Sequence, residues 1–238
     1  MAGSPYQHRL FINSRASRSD VIDELHVYLD GDGTPWTTSR KIADDPTPRN
    51  PLILEMMTKD PAAAVLLGRP CYYGLNMSTL CNESLWTSHR YAAEVVVSMN
   101  AAIQQWMSSK KVKNLVLIGY SGGGALATLL ASGLKKTSVV ITIAANLDIE
   151  AWSRHHGYSA PAASLNPAKD AHIPVSVRQI HLTGLKDDNV PAKIIESFSR
   201  MQKNAIYLPL PEYDHVCCWL DIWPDILRTK LGSEKVFQ

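Results

Sequence analysis

The stretch "NLVLIGYSGGGALATLLASG", residues 114–133, constrains the fold more than any other part of the chain. One apolar run enters Gly119-Tyr120-Ser121-Gly122-Gly123-Gly124, and a second, rich in Ala and Leu, leaves it at once. The first reads as a buried strand and the second as a helix, with almost no loop between them. Gly119-x-Ser121-x-Gly123 is the spacing of a nucleophile elbow. The glycines relieve Cβ clashes in the sharp turn, so the serine stands clear of the sheet in a strained conformation. The helix behind it turns free N–H groups and a positive dipole end toward the site. A phosphate loop would need the Lys of GxxxxGK[ST] and a dinucleotide turn the spacing GxGxxG; neither is present.

The rest of the chain repeats this alternation. "ELHVYLDGDG" (24–33), "AAAVLLG" (62–68), "VKNLVLIGY" (112–120), "SVVITIAAN" (138–146), "VSVRQIHLTG" (175–184) and "NAIYLPL" (204–210) read as strands, most of them apolar throughout. Such strands belong in a parallel sheet covered on both faces. "RLFINS" (9–14) fits an antiparallel edge strand. Ser88 is expected to cap a helix starting at His89, with Ala92, Val95, Val96, Met99, Ile103, Trp106 and Met107 on one apolar face. Further helices are expected from Pro191 to Lys203 and over 216–231. The segment 147–174 breaks the pattern with three prolines and no long apolar face. It is a candidate lid or binding insertion, against the alternative of a surface excursion without function. With no repeat or long linker, residues 1–238 are expected to form one domain.

Composition excludes several classes. The 24 basic and 22 acidic residues are scattered, so no basic stripe argues for nucleic acid. No apolar stretch approaches the ~18 residues of a membrane span, and "MAGSPYQHRL" has no apolar signal core. No Cys/His grouping has zinc spacing, so no metal is expected. Cys71 and Cys81 flank an excursion that a disulfide could close; free buried thiols are the alternative. A bridge implies export to an oxidising compartment after removal of a leader, and free thiols imply the cytoplasm, so the compartment stays open. Strain argues against a bridge between the neighbours Cys217 and Cys218.

A serine hydroxyl attacks only when a base takes its proton, and that base needs an orienting carboxylate. Downstream, "QIHLTGLKDDNVP" ends a strand with Asp187, and "AIYLPLPEYD" leads to His215. Asp187 is the expected acid, with Asp188 as competitor, and Asp214 is expected to face solvent. His26 and His181 lie within strands, His89 begins a helix, and His8 and His172 read as loop or surface residues. His155 and His156 fall in the candidate insertion. Only His215 follows the last strand, so it is the expected base. The oxyanion needs two backbone donors. One is the N–H of Gly122; the other is expected from Asp30-Gly31-Asp32-Gly33, with Asp32 first and Gly33 as alternative. A plain tight turn is the bland reading of that loop, and the other ligands of a calcium loop are missing.

With these residues assembled, the chain resembles the α/β-hydrolase superfamily from about residue 24 to 231. "GYSGG", "GLKDDNVP", "DHVCCW" and "YLDGDG" carry the resemblance. Asp30-Gly31 departs from it, standing where the family usually has His-Gly. The resemblance implies a mostly parallel sheet of about eight strands with helices on both faces, and a Ser121/Asp187/His215 triad. It also implies acyl-enzyme chemistry without a cofactor. By analogy of fold the bond is a carboxylic ester, and the short insertion favours a small or medium acyl substrate over aggregated lipid. A peptidase, thioesterase or acyltransferase would use the same triad, and a non-catalytic binding protein could keep the fold. Trp36 and Tyr120 are the first candidates to line the cleft, ahead of Tyr73, Trp86, Trp152 and Trp219.

Overall fold

The computed structural model describes residues 2–3, 5–159, 161 and 163–231. Its frame is a seven-stranded sheet made of β1 (Leu10–Ile12), β2 (Val21–Leu29), β3 (Ala63–Leu67), β4 (Lys111–Tyr120), β5 (Thr137–Ile143), β6 (Arg178–Gly184) and β7 (Ala205–Leu210). The order is β7-β6-β5-β4-β2-β3-β1. All neighbours are parallel except β1, which pairs antiparallel with β3 at one edge.

The apolar runs are long because both faces of the sheet are covered. In β4, Leu115 and Leu117 join one core while Val116 and Ile118 join the other, and all four are closed to solvent. This is the period of two that a pleated strand imposes. On the first face lie the helices Ala93–Met107 and Gly122–Ala131; on the second lie Leu52–Thr58 and Trp219–Leu231. Burying each such Leu, Ile or Val side chain contributes ~1.5–3 kcal/mol, so the central strands anchor whatever their ends carry.

Four expectations need correction. The sheet has seven strands, not about eight, because the chain before Leu10 pairs with itself as Ala2–Gly3 against Tyr6–Gln7 rather than extending the edge. The helix expected from His89 begins at Ala93. Ser88 Oγ pairs with the His89 ring at 2.9 Å instead, and the Arg90 Nε–H donates to the Thr87 carbonyl at 2.7 Å, holding 87–92 as a turn. His8 is a core residue: its Nδ1 donates to the Gly68 carbonyl at 2.9 Å and its Nε2 lies 2.8 Å from Ser98 Oγ. Finally, Cys217 and Cys218 are bonded to each other. The Cys71–Cys81 disulfide is present, closing the excursion between them.

The segment 147–174 holds two helices, Ile149–His156 and the single turn Pro167–Asp170. Asp148 and Asn166 cap them, and the Asn166 amide donates to Asp148 Oδ1 at 2.9 Å, tying the two caps together. Among the described residues, no helix is long and apolar enough to cross a membrane.

Candidate active site

Parallel strands deliver their carboxyl ends to one edge of the sheet, and the candidate residues gather there. Ser121 follows β4 directly and stands at φ 52° and ψ −124°, a left-handed conformation that a non-glycine residue adopts only under strain. Its N–H is held by the Ile143 carbonyl at 2.9 Å, and its own carbonyl accepts from Gly124 at 3.0 Å and Asn146 at 3.3 Å. The turn is tight enough that a Cβ on Gly119 would collide with the Gly123 backbone. This explains the glycine spacing.

Asp187 lies in the loop after β6, its side chain closed to solvent. Its Oδ1 accepts the main-chain N–H groups of Asn189 at 2.9 Å and Val190 at 2.8 Å. Its Oδ2 accepts from His215 Nδ1 at 2.8 Å, and His215 Nε2 lies 3.1 Å from Ser121 Oγ. The carbonyl of His215 is fixed by two donors, Tyr120 Oη at 2.9 Å and Trp219 Nε1 at 3.0 Å. Asp188 takes no part and is exposed, and Asp214 faces solvent while its Oδ1 caps Val216 and Cys217. Serine, histidine and aspartate therefore form one hydrogen-bonded chain, in the order needed to pass a proton from the hydroxyl to the imidazole.

The loop 30–33 borders the same cleft. Gly31 lies against Tyr120 and Ser121, which brings the backbone of 31–32 beside the candidate nucleophile. The Asp32 side chain is held by Arg69 and Arg90, each at 2.8 Å, and by the Tyr91 hydroxyl at 2.7 Å. Burial pushes this carboxyl up, but the two guanidiniums and the phenol outweigh it and hold it down at about 2. Asp30 is buried, with Oδ2 accepting from Tyr73 Oη at 2.6 Å, and burial raises its carboxyl.

The cleft has a volume of about 1330 Å³. Trp36 and Tyr120 are among its lining residues, and so is Trp152, whose indole N–H donates to the Asn189 carbonyl at 2.8 Å. Trp86 and Trp219 are core residues, and Tyr73 serves Asp30. His155 and His156 are outside the lining; His156 Nε2 donates to Asn189 O at 2.7 Å and its ring stacks on Tyr158. Sequence reasoning missed Arg69, Arg90 and Tyr91, which carry no local pattern. It also missed Asn146, whose signal was present: a polar residue ending an apolar strand run on the functional edge.

No protein-family model matches the chain, and no curated protein matches it either. Solved structures do. Est1E from Butyrivibrio proteoclasticus, seen with ferulic acid bound, aligns over 96% of this chain and 96% of its own at 12% identity and a TM-score of 0.68. A serine hydrolase without lid from Xanthomonas campestris aligns over 96% and 90% at 12% identity and a TM-score of 0.64. An esterase of Pyrococcus furiosus aligns over 96% and 89% at 11% identity and a TM-score of 0.62. At such identities the likeness is one of architecture, and by architecture the chain has the α/β-hydrolase fold.

Proposed function

We propose that this protein is a serine hydrolase that cleaves a carboxylic ester through an acyl-enzyme on Ser121. The observation that carries the reading is the chain Ser121 Oγ, His215, Asp187, with links of 3.1 and 2.8 Å at the carboxyl edge of the sheet. His215 takes the hydroxyl proton as Ser121 Oγ attacks the acyl carbon, and Asp187 holds the imidazolium that results. The oxyanion is held by the N–H groups of Gly122, at the start of a helix, and Asp32. His215 then protonates the leaving alcohol, and water attacking the acyl-enzyme returns the serine and releases an acid. The Pyrococcus furiosus neighbour is called an esterase, which agrees with an ester as the bond broken.

Residues 1–238 are read as one domain, with 147–174 as an insertion that supplies one wall of the cleft. Small-ligand pockets span ~300–1,000 Å³, so a cleft of about 1330 Å³ has room for an alcohol portion larger than a small acyl group requires. The Cys71–Cys81 disulfide favours an oxidising compartment over the cytoplasm.

Fluorophosphonate labelling of the wild type and of Ser121→Ala, read by intact mass, tests the nucleophile. One adduct on the wild type and none on the variant is the expected result. A panel of esters of graded chain length then tests the bond. An unlabelled wild type would overturn the activated serine, and labelling without turnover of any ester would overturn the ester.

A further inference from the structure

Tyr72 and Tyr73 come just after β3, at the head of the excursion that the Cys71–Cys81 disulfide closes, and both hydroxyls reach the loop 30–33. Tyr72 Oη donates to the Asp32 carbonyl at 2.8 Å, and Tyr73 Oη donates to Asp30 Oδ2 at 2.6 Å. Adjacent side chains on an extended strand point to opposite sides, so a plain continuation of β3 could not deliver both. The chain instead takes left-handed conformations at Cys71 (φ 70°) and Tyr73 (φ 58°), neither of them a glycine. Backbone of this kind costs free energy and persists only where its surroundings enforce it, most often at functional sites. Neither tyrosine borders the cleft, so neither meets a substrate directly.

Their bonds fall on either side of one peptide group. Asp30 Oδ1 accepts the Gly31 N–H at 2.9 Å, so Tyr73 steadies the peptide 30–31 through the carboxylate. Tyr72 holds the carbonyl of the peptide 32–33. Between them lies the peptide 31–32, which carries the Asp32 N–H and begins with a glycine. Glycine lets the peptide beside it rotate with little steric resistance. Arg69, Arg90 and Tyr91 grip the Asp32 side chain, and that grip alone does not set the tilt of the peptide before it. The tyrosines are themselves anchored. The Tyr73 N–H donates to Thr47 Oγ1 at 2.6 Å, and its carbonyl accepts from Arg9 Nε at 3.2 Å. Its ring packs edge-on against Phe11, and Tyr72 is buried.

We propose that Tyr72 and Tyr73 are positioning residues that hold the Asp32 N–H toward the oxyanion formed at Ser121. The proposal rests on reading Ser121 as the nucleophile and Asp32 as an oxyanion donor. Both tyrosines act through the loop and stand outside the proton chain of Ser121, His215 and Asp187. An oxyanion donor counts most once negative charge has developed, so its misalignment weakens transition-state binding more than ground-state binding. Loss of either hydroxyl therefore lowers kcat and leaves KM and the pH midpoint of kcat/KM in place.

Tyr72→Phe and Tyr73→Phe keep each ring and remove one hydrogen bond apiece. Their kcat and KM are measured on para-nitrophenyl acetate across pH. The second-order rate of fluorophosphonate labelling is read alongside, since the phosphoryl oxygen takes the place of the oxyanion. Deleting an oxyanion donor outright costs ~10²–10³-fold in kcat, so loosening one by either variant is expected to cost about tenfold in kcat and in labelling rate. KM is expected to change by less than about twofold and the pH midpoint to stay put. In an Asp30→Ala background, Tyr73→Phe is expected to cost less than about twofold further, because the link it serves is already cut. Rates of both variants within about threefold of wild type overturn the proposal. So does a loss confined to KM, or one that comes with a shifted pH midpoint and thus reports on the proton chain. If one Phe variant fails to fold, the other decides. A wild type that labels but turns over no ester counts against the ester and leaves the labelling rates to decide the tyrosines. A wild type that does not label overturns Ser121 as nucleophile, and this proposal with it.

Discussion

The Asp32 carboxylate stands where a side chain on Gly122 would have to go. A Cβ at Gly122 would run into Asp32 Oδ1 and the Tyr91 hydroxyl. The carboxylate is drawn there by Arg69, Arg90 and Tyr91, and it places a negative charge at the N-terminal end of the helix Gly122–Ala131, where the dipole favours one. The two proposed oxyanion donors, Gly122 and Asp32, are therefore positioned by a single packing contact. Gly122→Ala would displace either the carboxylate from its arginines or the helix start from the serine. Misplacement by ~1 Å costs on the order of 100-fold, so kcat/KM of Gly122→Ala on a model ester is expected to fall by about that factor. Wild-type kinetics in that variant would show that the contact does not position the donors.

Asp187 works through both of its oxygens, one on the main chain of 189–190 and one on His215. Asp187→Asn keeps a main-chain acceptor and the local volume, but it can turn an N–H toward His215 Nδ1. The imidazole then keeps its proton on Nε2 and no longer accepts from the serine. The expected loss in kcat is ~10³–10⁴-fold, with circular dichroism and thermal unfolding close to wild type. A loss below tenfold would remove Asp187 from the proton path.

Much of this site was legible because the residues that build it are local to the strand ends. The run 115–118 had to be a buried strand, and Gly119–Gly124 had to turn, so Ser121 could be placed before any tertiary contact was known. Asp187 and His215 followed from their places after β6 and before the last helix. Asp187 rather than Asp188 lies against His215 because the loop turns its side chain inward onto Asn189 and Val190, as two adjacent carboxylates cannot both do. What stayed hidden depends on contacts distant in sequence. Ser88 looks like a helix cap, but Arg90 and Tyr91 are needed as a turn that reaches Asp32, 58 and 59 residues away. His8 looks like a surface residue until Gly68 and Ser98, 60 and 90 residues on, close over it. That the sheet has seven strands among the described residues is likewise a pairing outcome, since Ala2–Gly3 bonds to Tyr6–Gln7.

The side of the sheet away from the arginine clamp carries a buried network of its own, and its charge sets a pH dependence. His26 Nδ1 lies 2.5 Å from Asp60 Oδ2 and its Nε2 3.1 Å from Glu24 Oε1. Tyr28 Oη donates to the same Asp60 oxygen at 2.6 Å, and the Trp223 indole N–H donates to Tyr28 Oη at 3.0 Å, so the network ties the last helix to β2. Burial pushes the imidazole down, but its hydrogen bonds to Asp60 and Glu24 outweigh this and raise it to about 9, from 6.5 when free. A raised histidine stabilises the fold fully below pH 6.5 and loses that contribution as pH climbs through about 9. His8 and His181 are lowered by burial, to about 4 and about 3, so they weaken the fold only as pH drops below 6.5 and leave the alkaline window to His26. The melting temperature is therefore expected to decline from pH 6.5 to 9.5 in the wild type. His26→Gln cannot carry the charge; it is expected to melt roughly 5 °C lower at pH 6 and to change little across the alkaline range. Calorimetric scans of both proteins at half-unit steps of pH check this, and a wild-type profile flat from 6.5 to 9.5 would show that His26 stays neutral in the fold.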